Sequence, residues 1–444
     1  MSADNADTLF GHPKGLFVLF FTELWERFSY YGMRAILVLY IIAVAKDGPH
    51  GGLGWSQEEA LGLYGWYTMA VYVASIPGGL IADKLWGQKR TVMVGGLTLC
   101  AGHLVLALPG QIAFFAGLAL IVVGVGLLKP NISTMVGGLY KAGDPARDKG
   151  FNIFYMGINI GAFASGLIVG YIGEAHGWHY GFGLAGIGML FGQAVYIWGQ
   201  KYLTHVGNLA STDVDPEVQA ASERPLSRQE RDRVLVLMLS FLIVIVFWGS
   251  FEQAGGLMNI FTMNHTDRML GSFEVPASWF QSLNPLFIIV FATLIGAFWF
   301  WWQNRGGESS SLFKMAVGTI IMGWGFIFMA LATTQVGDDK SGKAWMGLIV
   351  LAYLFHTIGE LCASPVALSF ITKLAPLKYS SLMMGVYFAM TGFGNKVAGF
   401  LGEAAVGDAG EFAVFVGITA FCTLFGVAII LFLRPLKRLM HDAE

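Results

Sequence analysis

Twelve apolar runs dominate this sequence, each near the ~20 residues that a helix needs to cross a lipid bilayer, and such a chain has few folds open to it. They lie near residues 15–45, 57–82, 90–108, 111–139, 150–174 and 178–202, and then near 234–262, 278–302, 313–333, 344–371, 380–405 and 411–433. With no water in the hydrocarbon to satisfy backbone groups, such runs span as helices. The expected fold is therefore an all-α polytopic membrane protein with 12 transmembrane helices. Composition excludes the main rivals. Charged residues make up 13% of the chain, about half of the ~25% usual in soluble domains, which rules out a water-soluble enzyme. A formal net charge of −2 leaves no basic surface for nucleic acid. Cys100, Cys362 and Cys422 are odd in number and lack metal-type spacing, so no disulfide framework or metal site is expected.

The runs fall as six, a break and six more. Residues 203–233 form the break, with Asp213, Asp215, Glu217, Glu223, Arg224, Arg228, Glu230 and Arg231 beside two prolines, a composition that stays in water. The expected organisation is an N-terminal six-helix bundle over 1–202, a cytoplasmic linker over 203–233 and a C-terminal six-helix bundle over 234–444. Lysine and arginine concentrate on the side shared by both termini and this linker, while the other side receives Lys46, Arg268, Lys340 and Lys343. Both termini are thus expected in the cytoplasm. The opening MSADNADTLFGHPKG has no basic region ahead of a short apolar core, so the first span is expected to direct insertion. Two halves of this kind suit rocking about a site at the bilayer midplane.

The first span contradicts its own apolar setting. FTELWERFSYYGMR, residues 21–34, places Glu23, Glu26, Arg27 and Arg34 where each charge costs about 2.5 to 3.5 kcal/mol on insertion scales. At about 100° per residue these four, with Tyr30 and Tyr31, share an arc of roughly 140° that must look into the bundle. A packing salt-bridge cluster is one reading. A proton and substrate site accounts better for four charges and two phenols.

Later spans carry further polar residues: Lys129 in GLLKPNIS, Asn159 in FYMGINIGAF, Glu252 in FWGSFEQAG, Asn284 in SLNPLF and Glu360 in GELCASP. Trp248 and Glu252 are four apart, as are Glu360 and Ser364, so each pair shares a helix face. Gly79, Asp83, Gly87 and Arg90 form GxxxDxxxGxxR at the junction of the second and third spans, where Asp83 can cap or pair across a hinge, which points to a gating loop.

ExxERFxYYG in the first span, FYxxINxGAF in the fifth, FWxxFEQxG in the seventh and GELxxSPxALS in the tenth resemble the proton-coupled oligopeptide transporters (POT/PTR), the peptide-transporter branch of the major facilitator superfamily. The resemblance covers nearly the whole chain. It implies the twelve-helix facilitator fold in two six-helix bundles and proton-coupled symport of di- and tripeptides into the cytoplasm by alternating access. Protons would be the coupling ion, with no other cofactor, and the protein would sit in the inner (plasma) membrane. The resemblance gives Glu23, Glu26 and Arg27 to proton coupling, and Arg27, Arg34 and Lys129 to the peptide carboxylate. Glu360, Asn159 and Asn284 would hold the amino end, and Tyr30, Tyr31, Tyr72, Trp248 and Ser364 would line the cavity. Tyr72 rests only on its place eleven residues before Asp83. Family pairings imply gates of Arg34 with Glu252 and Lys129 with Glu360, alongside Asp83 and Arg90.

Three features depart from family patterns. Residues 203–233 are too short and polar for the two extra helices that many bacterial members insert. Trp66 stands where animal members use a second-span histidine in coupling, so coupling is expected to rest on carboxylates. Tyr387 stands where an eleventh-span tryptophan is common.

Other motifs have plainer readings. Gly181, Gly183 and Gly186 form GxGxxG without a preceding strand, as expected of helix packing rather than dinucleotide binding. His356, four before Glu360, is expected to be structural, with a proton relay as the alternative. His103, His176 and His179 are expected to be peripheral. A membrane-embedded enzyme lacks support, since HExxH, GxSxG and a nucleophile with a nearby His and Asp do not occur. The nearer alternative is another proton-coupled facilitator, for nitrate, a sugar or a drug.

Overall fold

The structure, a computed structural model, describes residues 8–46, 48–141, 144, 146–209, 224–337, 339–376 and 379–441, with the side chains of 148, 372, 380 and 381 outside that description. Residues 210–223 of the expected linker lie outside the described residues, and its last residues, from Arg228, already belong to a helix.

Helices run where the apolar runs predict them. The first, α1 (Lys14–Ile42), starts after Pro13 and ends where Ala43 turns extended, ahead of a glycine-rich stretch. Its 29 residues reach about 43 Å, enough to cross a ~30 Å hydrocarbon core with turns to spare. The second span is broken into α2 (Gln57–Val73), α3 (Ser75–Ile81) and a π-helical turn, Ala82–Trp86. Gly87 then reverses the chain at φ +74°, and a Cβ there would lie 2.6 Å from Leu209 N, so only glycine fits this turn. Helices α4 (Gly87–Leu106), α5 (Gln111–Gly138), α6 (Ala146–His176) and α7 (Trp178–Trp198) follow. The GxGxxG glycines lie inside α7, in helix packing as expected.

The second half opens with α8 (Arg228–Phe251), started by a capping box in which Ser227 and Glu230 satisfy each other's backbone amides. Its span does not run through as one helix. It winds into a 3₁₀ turn at Glu252–Ala254 and resumes as α9 (Leu257–His265), so the intramembrane glutamate sits at the break. Then come α10 (Leu283–Asn304), α11 (Ser311–Val336), α12 (Met346–Leu374), α13 (Ser380–Val406), α14 (Glu411–Leu431) and the short basic α15 (Leu433–Met440). Among the described residues, eight spans are long and apolar enough to cross a membrane on composition alone. The other four are α1 with its internal charges, the broken α2–α3, α4 and α13.

The chain packs as two compact units: Met1–Trp55, Ala70–Ser211 and Pro276–Leu286 in the first, and Ser56–Met69, Thr212–Val275 and Phe287–Glu444 in the second. In the first unit, helices meet where small residues let backbones approach, as expected without water to drive association. A Cβ on Gly78 of α3 would fall 1.9 Å from Gly126 O of α5. Pro130, inside α5, has no N–H to give the carbonyl four residues back, and that freed carbonyl is the one Gly78 approaches. Asn131 ties the same crossing, donating to Leu127 O at 2.7 Å and Gly78 O at 3.2 Å.

The second unit has a core of Val236, Leu237, Phe241, Phe370 and Ile371, extended by Leu433 and Met440 of α15. Arg233 fixes the end of α15 through Met440 O (3.0 Å) and His441 O (3.2 Å). His103 corrects an expectation. It is 0% exposed in the first unit, and neither ring nitrogen has a hydrogen-bond partner among the described residues. A histidine is apolar enough along its ring edge to fill a glycine-rich helix crossing, which its position in the sequence does not reveal.

Candidate functional site

In the first unit, α1 buries the charge cluster that its helical period places on one face. Arg27 donates Nε to Glu26 Oε2 and forms an ion pair with Glu23, its Nε lying 3.1 Å from Glu23 Oε1. The three side chains are 3%, 3% and 0% exposed for Arg27, Glu23 and Glu26. Glu23 Oε2, Glu26 Oε1 and Arg27 Nη2 have no hydrogen-bond partner among the described residues. One guanidinium thus serves two buried carboxylates, and each retains an acceptor oxygen. The arginines are flanked by phenols: the Arg27 guanidinium lies 5.6 Å from the Tyr30 ring and 5.7 Å from the Tyr31 ring, and Arg34 lies 4.9 Å from Tyr31.

Lys129, at the Pro130 irregularity of α5, places Nζ 4.0 Å from the centre of the Tyr72 ring. Tyr72, the least supported residue in the sequence, is therefore a direct partner of an intramembrane cation. Asn159 of α6 is 5% exposed and donates its amide to Tyr155 O at 3.0 Å.

Asn284 belongs to this first unit although it follows the linker in sequence. A clamp on α6 fixes its segment. Glu174 accepts the backbone N–H groups of Ala277 (3.0 Å) and Ser278 (2.7 Å), which begin a 3₁₀ turn leading into α10. Trp279 donates Nε1 to Leu167 O at 2.9 Å, and Ser282 donates to Phe163 O at 2.8 Å. A carboxylate at the start of a helix satisfies donors that otherwise have no acceptor. At the opposite end of the second span, Asp83 and Arg90 are exposed, and α4 starts at Trp86 with no side-chain cap, so Asp83 does not cap it.

In the second unit, Glu252 is 2% exposed and accepts the Tyr64 hydroxyl at 3.0 Å. Trp248, one turn before it, packs edge-on against Phe247 and Phe251. Trp248, Ser364 and Tyr387 also border a small, partly open pocket lined mainly by apolar side chains, Phe247 and Met315 among them. Glu360 and Ser364 lie on α12 in the same unit. Arg34 and Lys129 belong to the first unit, Glu252 and Glu360 to the second. His356 is 1% exposed, lies 4.5 Å from the Phe326 ring, and neither ring nitrogen has a hydrogen-bond partner among the described residues.

Four residues escape the sequence reading. Tyr64 gives no signal because Glu252 is 188 residues away, and Asn131 because its tie to the Gly78 carbonyl spans 53 residues. Lys396 and Glu403, both on α13, did carry one: charges inside an apolar run. Lys396 Nζ lies 3.5 Å from Glu403 Oε1 and 4.9 Å from the centre of the Trp66 ring.

Comparison with known proteins places this geometry. A family model described as the POT family matches residues 89–221 and 211–407. The chain is 35% identical to the peptide transporter YePEPT of Yersinia enterocolitica, covering 98% of this chain and 97% of that protein. It is 33% identical to a di-/tripeptide transporter of Lactococcus lactis subsp. cremoris, covering 98% of each. A mutant of peptide transporter POT crystallised with alafosfalin superposes with a TM-score of 0.88 at 35% identity, covering 98% of this chain and 97% of that one. A POT family transporter in complex with a thioalcohol conjugated peptide gives 0.88 at 30% identity, covering 97% and 98%. A family match over most of the chain and relatives aligned end to end lead to one conclusion: the chain belongs to the POT family and is a multi-pass membrane transporter of the twelve-helix major facilitator fold.

Proposed function

We propose that this protein is a proton-coupled symporter that carries di- and tripeptides into the cytoplasm by alternating access. The observation that carries the reading is the buried α1 trio, in which Arg27 is shared by Glu23 and Glu26 and each carboxylate keeps an unpartnered oxygen. A proton on either carboxylate weakens its hold on Arg27 and frees the guanidinium for a peptide carboxylate. Coupling and binding then meet at one arginine. The names of the relatives and the ligands of the solved structures support peptides as the cargo.

In this reading Arg27, Arg34 and Lys129 attract the carboxylate end, and Tyr30, Tyr31, Tyr72 and Trp248 pack side chains without directional demands. Glu360, Asn159 and Asn284 hold the amine. The Asn159 amide donates within its own helix, which fits its carbonyl to a peptide ammonium. Arg34 with Glu252 and Lys129 with Glu360 act as gate pairs, Ser364 lines the cavity, and Asp83 and Arg90 border the gating turn. Residues 1–202 and 234–444 form the two bundles, joined by a cytoplasmic linker at 203–233. Both termini are cytoplasmic, and the membrane is the inner (plasma) membrane.

Uptake into proteoliposomes under an imposed pH gradient, with a panel of dipeptides, tests the proposal. Accumulation that collapses with the gradient is expected. Failure to accumulate any dipeptide, with uptake of nitrate or a sugar instead, would overturn it.

A further inference from the structure

Outside the α1 cluster, a further pair of charges is built into helix packing on α13. Lys396 and Glu403 are seven residues apart on α13, two turns, and so share one face of that helix. Their side chains are 24% and 29% exposed, with Nζ 3.5 Å from Oε1. Both face α2. Trp66 presents its ring to Lys396 at 4.9 Å, and a Cβ on Gly62 would lie 2.7 Å from Glu403 Oε1, so the carboxylate occupies the space that this glycine leaves open. Between these two contacts the helices cross backbone to backbone. A Cβ on Gly65 would lie 2.9 Å from the Gly399 Cα, and one on Gly399 would lie 2.8 Å from the Gly65 Cα. Within the same unit Tyr64 holds Glu252, one residue along α2.

Each feature of the crossing fits the next. Glycines bring the backbones together, and the glycine one turn earlier on α2 admits a carboxylate. An indole on the following residue faces the lysine that pairs with that carboxylate. Charges at this depth are costly to keep, and packing alone would be served by apolar side chains. The segment Ser56–Met69 carries these contacts, although the rest of the second span packs in the other unit. The chain leaves that mode of packing at a helix break: α2 ends at Val73, and α3 starts at Ser75.

We infer that Lys396, held between Glu403 and Trp66, is a positioning residue of transport: its charge latches the Gln57 end of α2 onto α13, and the latch must part each time the outer mouth opens. This rests on the transport reading above, whose topology places the Gln57 end outside. The latch is separate from the proton site. The role of Lys396 is exerted through α2, by way of Trp66.

The test reads closure directly. Leu61 of α2 is 1% exposed and sits against Gly402 of α13, and the three native cysteines are buried, so a Leu61→Cys thiol reports whether this crossing is shut. Outside-facing proteoliposomes are exposed to a membrane-impermeant maleimide without substrate. Lys396→Gln and Glu403→Gln are each expected to speed labelling about tenfold, and Lys396→Arg, which keeps a cation on the Trp66 face, to leave it near the unaltered rate. Gradient-driven dipeptide uptake should fall in the two neutral variants with little change in dipeptide affinity. Equal labelling in all variants overturns the latch, as does Lys396→Arg labelling as fast as Lys396→Gln, which would show that shape rather than charge holds the crossing. Should Lys396→Gln fail to insert, Glu403→Gln carries the same comparison. Absence of dipeptide uptake by the unaltered chain would count against the transport reading alone, because labelling needs no substrate.

Discussion

Lys129 holds its ammonium 4.0 Å from the centre of the Tyr72 ring, so that an intramembrane cation is met by an aromatic face from a different span. A desolvated lysine gains from such a face about as much as from a weak ion pair, without adding a second charge to the membrane. The contact orients Lys129 while leaving its N–H donors available to a carboxylate. Removing the ring by Tyr72→Leu is expected to weaken dialanine binding about three- to tenfold, and Tyr72→Phe, which keeps the face, to weaken it less. Equal losses in the two variants, measured by competition in detergent, would point to the hydroxyl instead.

The α1 trio predicts a separation of coupling from binding. Glu23→Gln or Glu26→Gln removes a carboxylate proposed to carry the proton while leaving Arg27 in place. Gradient-driven uptake should be lost while peptide exchange without a gradient survives. Normal gradient-driven accumulation by both variants would remove the trio from coupling.

The proposed gate of Lys129 with Glu360 calls for a charge exchange. Either single reversal leaves a buried charge facing its like and should abolish uptake, whereas Lys129→Glu with Glu360→Lys should recover part of it. No recovery, together with an unchanged cysteine cross-linking pattern between the halves, would count against the gate.

Recognition of peptide termini predicts that capping weakens binding. Acetylating the amine removes the charge proposed to meet Glu360, so N-acetylated dialanine should compete at least about tenfold more weakly than dialanine, roughly 1.4 kcal/mol. Equal competition would take Glu360 out of the amine role.

Away from the membrane, Glu308 and Lys437 give a pH dependence of stability. Partial burial pushes the Glu308 carboxyl up, but the Ser310 N–H at 2.9 Å and the Lys437 ammonium at 3.0 Å outweigh it and bring the carboxyl down to about 2. A carboxyl depressed on folding stabilises above its ordinary value of 4.5, and that contribution is lost as pH falls from 4.5 towards 2. The Glu308→Gln variant should therefore melt below the unaltered protein near neutral pH, by no more than ~1 kcal/mol for so exposed a pair, and the gap should narrow near about pH 3. A gap that widens with acidification would contradict the assignment.

The sequence by itself determined the spans and the charged face of α1. Span length follows from bilayer thickness, and the burial of Glu23, Glu26, Arg27 and Arg34 follows from the helical period together with the cost of charge in hydrocarbon; both are local rules. The same local reading missed the breaks in the second and seventh spans, because Ala74 and Glu252 lie inside runs whose hydropathy is continuous and the winding changes where a neighbouring helix approaches. Only tertiary structure decided which polar residues meet. Tyr64 finds Glu252 across 188 residues and Asn131 finds the Gly78 carbonyl across 53, while Trp66 is met by Lys396. In lipid, helices choose partners by close packing at small residues, so Gly78 against Gly126 and Gly65 against Gly399 set those encounters, and a glycine's partner is not written in the residues beside it.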